Sequence, residues 1–190
     1  SKDNLVNDEG QRLNAKTEPE RDPNDQTIIN FIITLDSDYV SNATDLSVAR
    51  TIIHESLHAY ISYIYQEQMF SNLANSLRIL LSADGATRNS AQHILMTQQF
   101  VYAISNSLES WDNNRLANND YYNYLSWSGA MVNTPAFDDL DGNTQQAIED
   151  ANIAEGSALS PATGQAKGQK YKLLHNLILD EYSNYCNYMN

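Results

Sequence analysis

His54, Glu55 and His58 stand together in the run TIIHESLHAY, residues 51–60. On an α-helix, two histidines four residues apart lie one turn apart on the same side, so both imidazoles reach one metal ion. Glu55 sits about 100° further around the helix, close enough to a metal-activated water to act as its base. This is the chemistry of metal-assisted hydrolysis, with Zn²⁺ as the expected ion. A lone histidine on a helix is usually a satisfied core residue. Two on one strip, with a glutamate between them, argue against that reading.

A helical wheel separates the two readings further. With His54 at 0°, residues Ser47, Thr51, Glu55, His58, Ser62 and Tyr65 fall within a strip roughly 100° wide. Leu46, Val48, Ala49, Ile52, Ile53, Leu57, Ala59, Tyr60, Tyr63 and Ile64 occupy most of the remaining circle, interrupted by Ser56 and with Arg50 at its margin. A helix buried over most of its surface, with one strip of histidines and hydroxyls, is expected to face a solvent-filled cleft.

Catalytic zinc takes three protein ligands and leaves one position open. The extended motif H-E-x-x-H-x-x-G-x-x-H is absent, because Ile61 and Ile64 stand where its glycine and third histidine belong. The third ligand therefore comes from further along the chain. His93 shares a helical stripe with Met96, Thr97, Phe100, Ile104 and Leu108, so it should point inward. Its competitors are His175, which sits beside two leucines and reads as packing, and the carboxylates Glu67, Asp84, Glu109 and Asp112. Asp112 could instead orient a ligand from behind.

The HESLHAY run resembles the zincin metalloproteases, and its H-E-x-x-H-A-Y form is similar to the SprT/Spartan-like group. A larger pattern is similar to metalloproteases of Bacteroidetes and related bacteria: Ala49–Tyr60 after a strand, then Gln92-His93 opening a helix, then YNYLSWSG at 122–129. The resemblance covers roughly residues 27–135. It implies His93 as third ligand and a peptide or protein substrate. It also implies that the strand TIINFIITL, residues 27–35, pairs with extended substrate through its backbone. Residues 61–76 do not match the histidine-containing loop of the SprT/Spartan-like pattern, so that group's DNA-linked roles do not carry over. Tyr122 is the nominated donor to the tetrahedral oxyanion, among 12 tyrosines that mostly read as packing residues. The chain begins at Ser1. Removal of a leader, and a secreted or cell-envelope place in a bacterium, are the matching expectations.

The elements that must position these residues are mostly helices. Residues 1–26 are polar and charged and read as a flexible N-terminal tail, leaving 27–190 as one zincin-like domain. After the strand at 27–35 come helices over 44–68, capped by Asn42 or Thr44, and over 70–82. A single long helix is expected over 89–112, capped by Asn89 or Ser90, and further helices over 118–132, 144–157 and 170–186. Residues 138–143, DDLDGN, fail the calcium-loop spacing and read as an acidic turn. The fold class expected is α+β, mostly helical, with a small sheet packed on the motif helix.

Eleven basic and 24 acidic residues give a net charge of −13, which speaks against a broad nucleic-acid or anionic-membrane surface. No stretch is long and apolar enough for a transmembrane helix. With Cys186 the lone cysteine, an intrachain disulfide and a multi-cysteine zinc site are excluded. The functional expectation is a zinc-dependent peptidase. Its alternative is a non-catalytic binding protein whose metal ties helices together. A protein side chain in the fourth position would mark the alternative. Oligomeric state is not readable from the sequence.

Overall fold

The computed structural model describes residues 5–6, 12–66, 72–82, 87–116 and 119–157. Glu67, Asp84, His175 and Cys186 lie outside these residues, as do the loop expected over 160–169 and the helix expected over 170–186. The described chain is mostly helical with one small antiparallel sheet, an α+β arrangement. No helix among the described residues is long and apolar enough to cross a membrane.

Strands β1 (Ala15–Arg21) and β2 (Ile28–Leu35) form a hairpin in antiparallel register, with Thr17 opposite Ile33 and Ala15 opposite Leu35. The β2 strand lies where β-branched residues predict it. β1 corrects the flexible tail expected over 1–26. Its sequence, AKTEPER, carries few apolar residues because most of it is exposed. The hairpin ladder and polar anchors hold it instead. Asp36, buried at 3% exposure, accepts from the Leu5 N–H at 3.0 Å and from Arg12 Nη2 at 2.7 Å. It also caps α1 (Ser37–Asn42) through the Tyr39 N–H.

The motif helix α2 (Asp45–Gln66) is the centre of the fold. Thr44 caps it by accepting from the Ser47 N–H at 3.0 Å. Val48, Ala49, Ile53 and Leu57 are at most 2% exposed, as the wheel predicts for the apolar side, whereas Tyr63 on that side is 45% exposed and Ile61, beside the histidines on the wheel, is buried. The hairpin packs on α2: Thr17 reaches Glu55, and Arg21 donates to Gln66. The polar strip is not open along its whole length. The Tyr39 hydroxyl closes its first turns, 2.8 Å from Ser47 Oγ and 2.7 Å from Thr51 Oγ1. The cleft borders the helix from Arg50 and Thr51 onward.

Helix α3 (Asn72–Leu81) follows α2 and packs on it through Leu73, Ala74 and Leu77. The single helix expected over 89–112 is two: α4 (Arg88–Gln99) and α5 (Val101–Asp112), separated at Phe100 with φ −121° and ψ −6°. The hydrogen bonds Phe100 N–H to Met96 O and Ile104 N–H to Phe100 O continue across the break, so the axis bends without unravelling. The bend places the Phe100 ring edge-on to Tyr60 of α2, centroids 6.4 Å apart. The cap is Thr87, in a capping box with Ser90, and not Asn89.

The helix expected over 118–132 is also interrupted. Helix α6 covers Asn119–Ser126, and a 3-10 turn covers Gly129–Asn133. Between them Trp127 and Ser128 leave helical geometry, and Gly129 takes φ +60°. Helix α7 (Pro135–Asp138) and helix α8 (Gly142–Ser157) complete the described chain. The acidic turn at 138–143 works as an anchor for α8: Asp141 accepts from the Asn143 and Thr144 N–H groups.

Candidate metal centre

The motif helix projects His54 and His58 from successive turns, and α4 brings His93 to meet them. Their Nε2 atoms converge. That of His54 lies 3.2 Å from His58 Nε2 and 3.2 Å from His93 Nε2. The ligating atoms of all three lie within 4.8 Å of one another. Zn–N bonds of about 2.05 Å in tetrahedral geometry put ligand nitrogens roughly 3.3 Å apart, so the spacing suits one ion. His54 and His93 are buried and His58 is half-buried.

The outward nitrogen of His58 shows why its inward one is a lone pair. His58 Nδ1 lies 2.7 Å from Gln92 Oε1. An amide oxygen only accepts, so Nδ1 carries the proton and Nε2 is free to ligate. Gln92 is in turn held by donating its amide N–H to Ser62 Oγ at 2.9 Å. His54 Nδ1 lies 3.2 Å from Ser128 Oγ. His93 Nδ1 is buried without a well-formed hydrogen bond.

Burial is the largest influence on His54 and holds its pKa well below the ordinary histidine value, with the His58, His93 and Arg50 charges acting in the same direction. Burial, then His58, push His93 down to about 4, and the nearby Asn89 carbonyl opposes that fall. Both imidazoles are therefore neutral at pH 7, the form that binds metal. Imidazole lone pairs aimed at one point repel each other unless a cation sits between them. The donor set fits a metal.

Glu55 stands beside the triad, 9% exposed, on the wall of the same cleft. Its Oε2 accepts from the Thr17 hydroxyl at 2.6 Å. Gly129 lines the cleft beside His54. A Cβ there would come 3.7 Å from both Cε1 and Nε2 of His54. The cleft has a volume of about 720 Å³. Among the described residues no fourth ligating side chain joins the three histidines.

No known protein family matches this chain, and neither a curated protein nor a solved structure is significantly similar to it. The reading of the site therefore stands on its residues.

His54, Glu55, His58 and His93 are brought together as the motif and the inward stripe predict. Tyr122 is not among them. It is fully buried, donates to Asp112 Oδ2 at 2.8 Å and accepts from the Leu116 N–H at 3.2 Å, so it is a core residue and not an oxyanion donor. Asp112 is occupied by that tyrosine and by Arg115, and orients no histidine. Glu109 is half-buried and lies outside the cluster. The strand beside the cleft is chiefly β1, which lines it with Ala15, Lys16, Thr17 and Pro19, whereas β2 contributes Ile28 and Phe31.

Four supporting residues were given no role from sequence: Thr17, and Gln92, Ser128 and Gly129, which fall within the segments that carry the resemblance. Gln92 carries a usable signal, because it precedes His93 on the same helix turn. Ser62 was visible too, one turn beyond His58 on the polar strip. Thr17 and the Ser128–Gly129 pair carry no periodic signal, since each reaches the site from a segment of irregular or exposed character.

Proposed function

We propose that this protein is a zinc-dependent peptidase, in keeping with its resemblance to the zincins. The observation that carries the reading is the combination, among the described residues, of three convergent histidines and no fourth ligating side chain with a carboxylate on the same cleft wall. A structural metal site closes its fourth position with protein. A three-ligand site in an open cleft leaves that position for water and substrate.

His54, His58 and His93 would hold the ion through their Nε2 atoms. Zinc bound there would bring the pKa of a coordinated water towards neutrality and polarise a substrate carbonyl. Glu55 takes a proton from the attacking water at its carboxylate and delivers it to the leaving amine nitrogen. Thr17, donating to Oε2, fixes the carboxylate's rotamer and leaves Oε1 for the water. Gln92 and Ser128 fix the ring orientations of His58 and His54. The β1 wall, next to Glu55, is the surface along which an extended peptide would lie.

The decisive experiment is Glu55→Gln in the zinc-loaded protein, assayed on a peptide library by mass spectrometry. Hydrolysis should be lost while zinc content stays at that of the wild type. Retained cleavage by this variant would sink the mechanism. Spectroscopy of the cobalt-substituted protein showing a fourth protein ligand would favour a structural metal instead.

A further inference from the structure

The charge of the cleft opposes the charge of the chain. In a protein with 24 acidic and 11 basic residues, the cleft is lined by four basic side chains, Arg12, Lys16, Arg50 and Arg88, and by one acidic one, Glu55. Low-dielectric walls focus such a field into the site. Two of the four are tied to carboxylates: Arg12 to Asp36 and Asp38, and Lys16 to Glu18. Arg88 lies over the Tyr65 ring, 5.3 Å from its centroid, and among the described residues it forms no ion pair.

Arg50 is the unusual one. It is 5% exposed, and among the described residues no carboxylate lies within ion-pair distance. Its partners are neutral: Nη1 donates to Asn152 Oδ1 at 2.6 Å and Nη2 to Ser47 Oγ at 3.0 Å. Its Nε is buried without any hydrogen bond. A guanidinium stays charged in a protein and offers five N–H donors, and a buried charge is normally paired. Bridging α2 to α8 would need only a neutral amide. Arg50 precedes His54 by one helical turn, about 6 Å along the axis, and lines the same cleft.

Resting on the peptidase reading above, we propose that the cleft is built for peptides that carry a carboxylate beside the scissile bond, and that the Arg50 guanidinium receives that carboxylate. The carboxylate supplies the missing counter-charge. Its source is either the free C-terminus of the substrate or an Asp or Glu side chain near the cleaved bond. Arg88 at the start of α4 attracts the same anion without fixing its position. Arg50 is thus a specificity residue and not a catalytic one.

The test uses the zinc-loaded chain and paired peptides that differ only in charge. One arm compares a free C-terminal carboxylate with its carboxamide, and the other compares Glu with Gln next to the cleavage point. Binding is measured by fluorescence polarisation on the Glu55→Gln variant, and cleavage on the wild type. In at least one arm the carboxylate peptide should bind about tenfold or more tighter, the strength of a charged hydrogen-bonded pair. That arm identifies the source of the carboxylate. The preference should vanish in Arg50→Gln, persist in part in Arg50→Lys, and shrink as salt is raised. Equal binding and cleavage within both pairs by the wild-type site would overturn the proposal, without any variant needing to fold. So would a preference that survives Arg50→Gln. If cleavage occurs but without preference, the peptidase reading stands and this one falls. If nothing is cleaved but carboxylate binding depends on Arg50, the anion site stands and the peptidase reading falls.

Discussion

Nε2 of His93 lies 3.2 Å from Nε2 of His54, across 39 residues of sequence and between two helices. Neither nitrogen needs the other: both imidazoles are held neutral by burial, and two neutral lone pairs at that distance attract only through a shared proton or a shared cation. The relationship puts the third histidine on the same footing as the motif pair as a candidate ligand. His93→Ala should therefore abolish stoichiometric zinc after gel filtration, as read by elemental analysis. Zinc should also raise the wild-type unfolding temperature, with a stabilisation of about 2.7 kcal/mol at a free concentration 100 times the Kd, and leave that of His93→Ala unchanged. Zinc retained at one equivalent by the variant would remove His93 from the site.

Gln92 carries the next prediction, because it fixes the tautomer of His58 without touching the metal. Loss of such a partner typically weakens metal binding by about 10–100-fold. Gln92→Ala should fall in that range when zinc is titrated against a chelator of known affinity. Gln92→Glu replaces an amide oxygen with a carboxylate that accepts from His58 Nδ1–H more strongly, so it should bind zinc at least as tightly as the wild type. Equal affinities for the alanine variant and the wild type would show that the 2.7 Å contact does not orient the ligand.

The metal-free protein should lose stability in mild acid. An unfolded histidine titrates near 6.5, whereas folded His93 is pushed down to about 4 and His54 lies well below its usual value. Between these limits the unfolded chain takes up protons that the folded chain refuses. Stability is therefore present above about pH 6.5 and falls as pH drops towards 4, on the order of 3 kcal/mol for His93 alone. Urea melts of the metal-free protein at pH 7, 6, 5 and 4.5 read this directly. His93→Gln should flatten the slope, and an unchanged slope would mean that His93 is not buried in the metal-free state.

The parts of this site that could be read from sequence are those governed by helical period. The polar strip of α2 separates His54, Glu55, His58 and Ser62 from Val48, Ile53 and Leu57 because burial on one side and a cleft on the other leave a periodic trace. His93 falls on the buried stripe of α4 for the same reason. β1 left no such trace. Its odd residues face α2 with Thr17 and Arg21, polar groups that make hydrogen bonds instead of burying area. The break at Phe100 was hidden because both half-helices keep one apolar stripe across it, and the bend depends on where the Tyr60 ring lies. Tyr122 shows the converse failure: residue type alone suggested a donor, while the fold assigned its hydroxyl to Asp112.

Gly129 offers the sharpest probe of the open side of the centre. Its φ of +60° is a left-handed conformation that costs an L-residue about 1–2 kcal/mol, so any side chain there lowers stability modestly. The added Cβ of Gly129→Ala would meet no clash, since its nearest neighbours, Cε1 and Nε2 of His54, are 3.7 Å away. It would instead stand beside His54 Nε2, in space that a substrate carbonyl would enter on the peptidase reading proposed above. Zinc affinity should therefore stay within a few-fold of wild type, because none of the three ligands or their partners moves. Turnover should fall more than stability does, and Gly129→Val, with a larger side chain, should fall further still. The measurement is kcat/KM on a cleaved peptide alongside the zinc Kd and the unfolding temperature for each variant. Activity that tracks the stability loss alone, with no additional step from Ala to Val, would place the substrate on another side of the histidine cluster.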